Sequence, residues 1–216
     1  MKPASQIPVF LACMSAAGLA SFAFDPATAT RFSGYGGGLP AISMLALCIL
    51  LGLPALWQLQ RSEFITSKRR KTRLGQFVAL SLAFAAIAIT VDLLHPFPET
   101  INARVPQSLL FYPAIAMVAE TVFRLVPAAL VFTFTRHLPA TIVIAALTEP
   151  AFQLTVGWTG APHWSDAITA LNIFAISLTQ LILLRRHGFA AMLGLRLAYY
   201  LWWHVLWGEA RLALLF

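Results

Sequence analysis

Five ionisable side chains fall inside stretches otherwise too apolar to face water: Glu120, Arg124, Glu149, Arg196 and His204. Groups of this kind are costly in hydrocarbon. They turn inward, pair with one another, and by default mark a functional site. Glu120 and Arg124 stand four residues apart and project from one helical face. Arg196 and His204 lie eight apart, about two turns, and Glu149 is followed directly by Pro150. Three neighbouring segments can thus aim two acids, two arginines and an imidazole at one interior point. The chemistry open to such a centre is hydrolysis. A carboxylate in a low-dielectric pocket serves as general base to a water. The imidazole donates to an oxyanion or shares the water, and an arginine keeps the carboxylate ionised and oriented. In a variant, Glu120, Glu149 and His204 supply two carboxylates and an imidazole, a ligand set known for zinc, although no HExxH motif is present. The competing structural reading is a buried ion-pair network that locks the helices together. Beside the hydrolytic groups, Arg196 is expected to be structural or a lipid anchor.

The elements that must position these groups follow from composition. Of 216 residues, 59% are hydrophobic and only 11% charged, against roughly a quarter charged in soluble domains. Most of the chain therefore cannot face water. A membrane span takes about 20 apolar residues, and seven candidates run near 8–24, 38–57, 75–95, 108–134, 139–158, 165–184 and 188–208. Strand-like alternation is absent, and open backbone groups cannot be satisfied in hydrocarbon, so the expectation is an all-α polytopic bundle of about seven spans, six to eight. The short connections leave room for one membrane-embedded domain over residues 1–216. Pro113 and Pro127 should kink or split the long fourth span. Aromatic residues near span ends (Trp57, Phe111, Tyr112, Trp158, Trp164, Trp202 and Trp203) read as interfacial anchors.

Charge fixes an expected orientation. With the loop between the second and third spans inside, ten basic residues are cytoplasmic: Lys2, Arg61, Lys68, Arg69, Arg70, Lys71, Arg73, Arg136, Arg185 and Arg186. Three fall outside: Arg31, Arg104 and Arg211. Basic loops stay in the cytoplasm. The N-terminus is then cytoplasmic and the C-terminus outside, in a cytoplasmic-type (inner) membrane. The net charge of +7 reads as an orientation signal and a contact for anionic lipid, not as a nucleic-acid surface. Lys2, an apolar stretch and Ala27-Thr28-Ala29 also resemble a cleavable signal peptide, whose loss of residues 1–29 would leave six spans. Cys13 and Cys48 form no CxxC and read as small apolar residues.

The segment Ala119-Glu120-Thr121-Val122-Phe123-Arg124 resembles the first motif, EExxxR, of the CPBP family (CAAX proteases and bacteriocin-processing enzymes), which are intramembrane glutamic proteases. The resemblance covers residues 108–208. Against the family's FxxxH motif the chain offers Ala145 through Glu149, with Glu149 in place of histidine. Against HxxxN or HxxxD it offers His204 with Gly208 four residues on, or Tyr200 paired with His204. Ala119 stands where the family's first glutamate activates water. The resemblance implies an intramembrane peptidase acting on a membrane-associated, hydrophobic or lipid-modified peptide. Glu120 would be the base, Arg124 its charge partner, Glu149 a second carboxylate and His204 an oxyanion or metal contact. The departures from the motifs keep two alternatives open: a non-catalytic relative that binds a membrane protein or hydrophobic peptide, and a small proton- or ion-coupled transporter. The lack of an internal repeat argues against the transporter.

Overall fold

The computed structural model describes residues 5–66, 74–156 and 163–216. The basic run from Lys68 to Arg73 and Trp158 lie outside the described residues. Within them the chain is all helical. It comprises α1 (Ile7–Ser21), α2 (Pro26–Tyr35), α3 (Ala41–Arg61), α4 (Leu74–Leu94), α5 (Gln107–Glu120), α6 (Val126–Thr135), α7 (Leu138–Val156), α8 (Trp164–His187), α9 (Phe189–Tyr200) and α10 (Trp207–Leu215). A π-helical turn, Thr121–Leu125, joins α5 to α6, and a second, Leu201–Leu206, joins α9 to α10. Helix starts follow local chemistry. The Asp25 side chain accepts from the Thr28 amide, with Pro26 opening α2. His163 and Asp166 form a reciprocal cap at the start of α8.

Helices occupy all seven expected span positions. Five are long and apolar enough to cross a membrane: Ala41–Arg61, Gly75–Leu94, Gln107–Thr135, Leu138–Thr155 and Trp164–His187. The chain is an integral membrane protein. Of the other two, α1 is apolar but only 15 residues long. The last helix carries Arg196, His204, Glu209 and Arg211 along its length.

The expected kink takes a specific form. Pro127 has no N–H to offer the carbonyl four residues back, that of Phe123. In this structure the helix widens into the π turn just before Pro127, and the Phe123 carbonyl accepts from the Thr148 hydroxyl of α7 at 2.9 Å. The helix therefore continues through the proline, and its freed carbonyl becomes a tie to α7. Of the aromatics expected as interfacial anchors, Trp57 and Trp164 are half-exposed. Phe111, Tyr112 and Trp203 are buried in the core instead. Their large apolar faces fill the space between helices.

Segment 95–106 folds back over one end of the bundle and ties to the last helix. Buried Arg211 clasps Asp92 of α4 and donates to the carbonyls of Phe97 and Pro98. The Val105 amide donates to Glu209 at 2.6 Å.

Candidate functional site

Glu120 ends α5, Arg124 lies in the π turn, Glu149 in α7, and Arg196 in α9; all four are buried. The helices carrying them pack side by side, α7 against both α6 and α8, and α8 against α9. The π turn sits where α5 meets this cluster, which is where such turns tend to occur in functional helices.

The pairing differs from the spacing. Glu120 and Arg124 share a helix, yet the Arg124 Nε stands 4.0 Å from Glu120 Oε2, too far for a hydrogen bond. The nearer partner of Glu120 is Arg196, whose Nε donates to Oε1 at 2.8 Å. Gln180 of α8 donates to the same oxygen at 2.5 Å. Arg124 instead pairs through Nη2 with Glu149 and with the Ser177 hydroxyl, at 2.7 Å from the latter. Arg196 is the hub. It donates to both Glu149 oxygens, at 3.0 and 2.9 Å, to Gln180 Oε1 at 3.2 Å and to the Tyr200 hydroxyl at 3.2 Å. A guanidinium has five N–H groups, and here each has a partner. At 3% exposure Arg196 cannot reach a lipid head group, so the lipid-anchor expectation is corrected: the guanidinium sits at the centre of the network.

Two carboxylates face two guanidiniums, so the cluster is charge-balanced. It is not fully hydrogen-bonded. Glu120 Oε2 and Arg124 Nε and Nη1 are buried with no hydrogen-bond partner among the described residues. Glu149, by contrast, accepts through both oxygens and has no oxygen free.

His204 is not part of this cluster. Arg196 and His204 are eight residues apart, which on a helix is about 12 Å of rise, and that carries the imidazole beyond the acids. Its Nδ1 pairs with Asn102 Oδ1 of segment 95–106 at 2.7 Å. The ring stacks on Tyr112, with centroids 4.3 Å apart. Tyr200 bridges the two groups, bonded to Arg196 and set edge-on to His204 at 4.8 Å. The expectation that both acids and the imidazole share one centre is therefore corrected: the acids meet each other and two arginines, and the imidazole meets Asn102. Of the three donors expected for zinc, Glu149 is taken up by guanidiniums and His204 pairs with Asn102. Among the described residues no three His, Cys, Asp or Glu side chains converge as a ligand group.

Sequence reasoning missed Ser177, Gln180 and Asn102, which are neutral and so raise no alarm in an apolar helix or a loop. It also missed Asp92, although that residue satisfies the same rule, an ionisable group inside a predicted span. No family model, no curated protein and no solved structure matches this chain.

Proposed function

We propose that the chain is a membrane-embedded hydrolase of the intramembrane-peptidase type, a divergent relative of the CPBP proteases acting on a hydrophobic or lipid-modified peptide. The observation that carries this reading is the open Glu120 Oε2 standing 4.0 Å from the open Nε of Arg124, whose Nη1 is also without a partner among the described residues. A carboxylate oxygen with no donor can take the proton of a water. The unpaired guanidinium N–H groups beside it are suited to the oxygen that gains charge when that water adds to a peptide carbonyl. The water oxygen forms the new bond to carbon, its proton passes to Glu120, and that proton then leaves with the amine as the C–N bond breaks. Glu149 and Arg196 hold the pair in register. The excess of basic residues in the loops assigned inside supports an N-terminus in the cytoplasm and a C-terminus outside, in an inner membrane.

A second reading rests on a different observation: the four charges balance and are closed off from the surface. That suits a non-catalytic relative in which the network locks α5, α7, α8 and α9 while another surface binds a membrane protein or hydrophobic peptide. Glu120→Gln separates the readings. Purified protein in nanodiscs is offered a fluorogenic prenylated peptide and a fluorogenic transmembrane peptide. Cleavage by the wild type, abolished in a Glu120→Gln variant that stays folded with only a modest loss of stability, supports the hydrolase. No cleavage of either probe by the wild type, with a lowered unfolding temperature in the variant, supports the lock. Cleavage by Glu120→Gln at the native rate removes Glu120 from the mechanism.

A further inference from the structure

His204 and its surroundings form a second polar cluster that the carboxylate–arginine chemistry leaves unused. Asn102 Oδ1 lies 2.7 Å from His204 Nδ1 and 3.4 Å from the Tyr112 hydroxyl. That hydroxyl oxygen accepts from the Ala103 amide at 2.9 Å, which pins the Tyr112 ring. The imidazole is held flat against Tyr112, tilted 18° from it, and edge-on to Tyr200 at 82°. Asn102 is 7% exposed, and its Nδ2 has no partner among the described residues. Its place depends on one neighbour. A Cβ at Gly208 would lie 3.1 Å from Asn102 Nδ2 and 3.2 Å from its Cβ and Cγ. The asparagine therefore fills the space that any side chain at 208 would need.

A carboxamide oxygen can only accept. If it faces Nδ1, that nitrogen carries the ring proton, and the neutral ring keeps its lone pair on Nε2. We propose that Asn102 is the positioning residue of His204, its Oδ1 fixing the Nδ1–H tautomer so that Nε2 is a proton acceptor and not an oxyanion donor. Gly208 is the residue that makes this pairing possible. The tautomer stands on this geometry alone; its use in turnover rests on the hydrolase reading. There, the bare Nε2, two turns along the helix from Arg196, is a neutral proton acceptor that reaches Glu120 only through intervening water.

The decisive measurement is 15N NMR of the full chain, labelled at histidine and held in phosphatidylcholine nanodiscs at a mildly alkaline pH where imidazole is neutral. A bare ring nitrogen and a protonated one resonate far apart, and the signals missing from His204→Gln identify His204. The expected spectrum places the proton on Nδ1. Asn102→Ala should return His204 to the Nε2–H form that an unrestrained imidazole favours, and Asn102→Asp should restore Nδ1–H. Gly208→Ala leaves both polar partners intact and should nevertheless reproduce the Asn102→Ala pattern, because the added methyl displaces the carboxamide. An Nε2–H tautomer in the wild type, which a reversed Asn102 amide would produce, overturns the proposal. So does a tautomer unmoved by both Asn102→Ala and Gly208→Ala. If Asn102→Ala does not fold, the wild-type and Asn102→Asp spectra decide. In protein that cleaves the peptide probes, Asn102→Ala should lower kcat by about 10²-fold with little change in KM, and Asn102→Asp should recover it. Nδ1–H in a protein that cleaves neither probe leaves Asn102 as the positioning residue and removes only the hydrolase.

Discussion

Two buried ion clusters in this protein solve the same electrostatic problem to different degrees. At one end of the bundle, the Asp92 carboxylate receives four N–H groups: Phe97 and Arg211 Nη2 on Oδ1, Trp207 and Arg211 Nε on Oδ2, all within 2.8 Å. The rest of Arg211 goes to backbone carbonyls. Neither residue has any exposure or any orphaned atom among the described residues. In the bundle interior, Glu120 and Arg124 are equally buried, yet one carboxylate oxygen and two guanidinium nitrogens are left without partners. A buried polar group without a partner gives up about 1–3 kcal/mol, and folded proteins rarely leave one without a reason. The contrast teaches that charge burial alone does not mark a site. The complete cluster reads as a fastening, and the incomplete one as the place where a further polar molecule belongs.

The sharpest way to break this comparison is to remove one partner of the fastening. Asp92→Asn or Arg211→Ala should destabilise the protein by about 3–5 kcal/mol, the penalty of a stranded buried charge, as measured by unfolding in mixed micelles. Replacing both together with Leu and Met should return most of that loss, since a packed apolar pair substitutes well for a buried ion pair. Glu120→Gln should be milder, about 2 kcal/mol in the same assay, because only one of its oxygens is engaged and the glutamine can still accept there. A loss as large as that of Asp92→Asn would erase the distinction between the two clusters. Thr148→Val removes the hydroxyl that serves the Phe123 carbonyl and should cost about 1 kcal/mol, again by unfolding. The smallest effect belongs to the exposed cap of α2, a reference point with no burial. The Thr28 amide holds the Asp25 carboxyl below its ordinary value. A lowered folded-state value means the cap contributes fully above the ordinary carboxylate range. Its contribution fades as pH falls through that range to the folded value. Hydrogen exchange at the Thr28 amide should quicken over that acid window and stay flat above it.

How much of this was legible beforehand can be judged residue by residue. The helix positions follow from hydropathy, because a deficit of charge leaves few alternatives to membrane helices. The membership of Glu120, Arg124, Glu149 and Arg196 in one cluster also follows, since each had to find a partner away from lipid. The pairing does not. Spacing joins Glu120 to Arg124, while the fold brings Arg196 from another helix to a shorter distance, and nothing in one helix's sequence reports what a neighbouring helix delivers. His204 was misplaced for a related reason: a shared stripe fixes direction around a helix but not height along it. Asn102 was invisible because a neutral residue between prolines looks like ordinary loop chemistry. Asp92 was visible and passed over.

The π turns carry a consequence for chain length. Each holds one residue more than a regular helix of the same rise, and one residue is about 100° of rotation. A relative one residue shorter anywhere between 121 and 125 would have a plain α-helix there and would swing everything from Val126 onward by about a quarter turn. It could keep the acid of α5 facing inward or the seam with α7, but not both. Single-residue gaps at these two places are therefore the natural ruler for deciding which related chains retain the same interior and which have abandoned it.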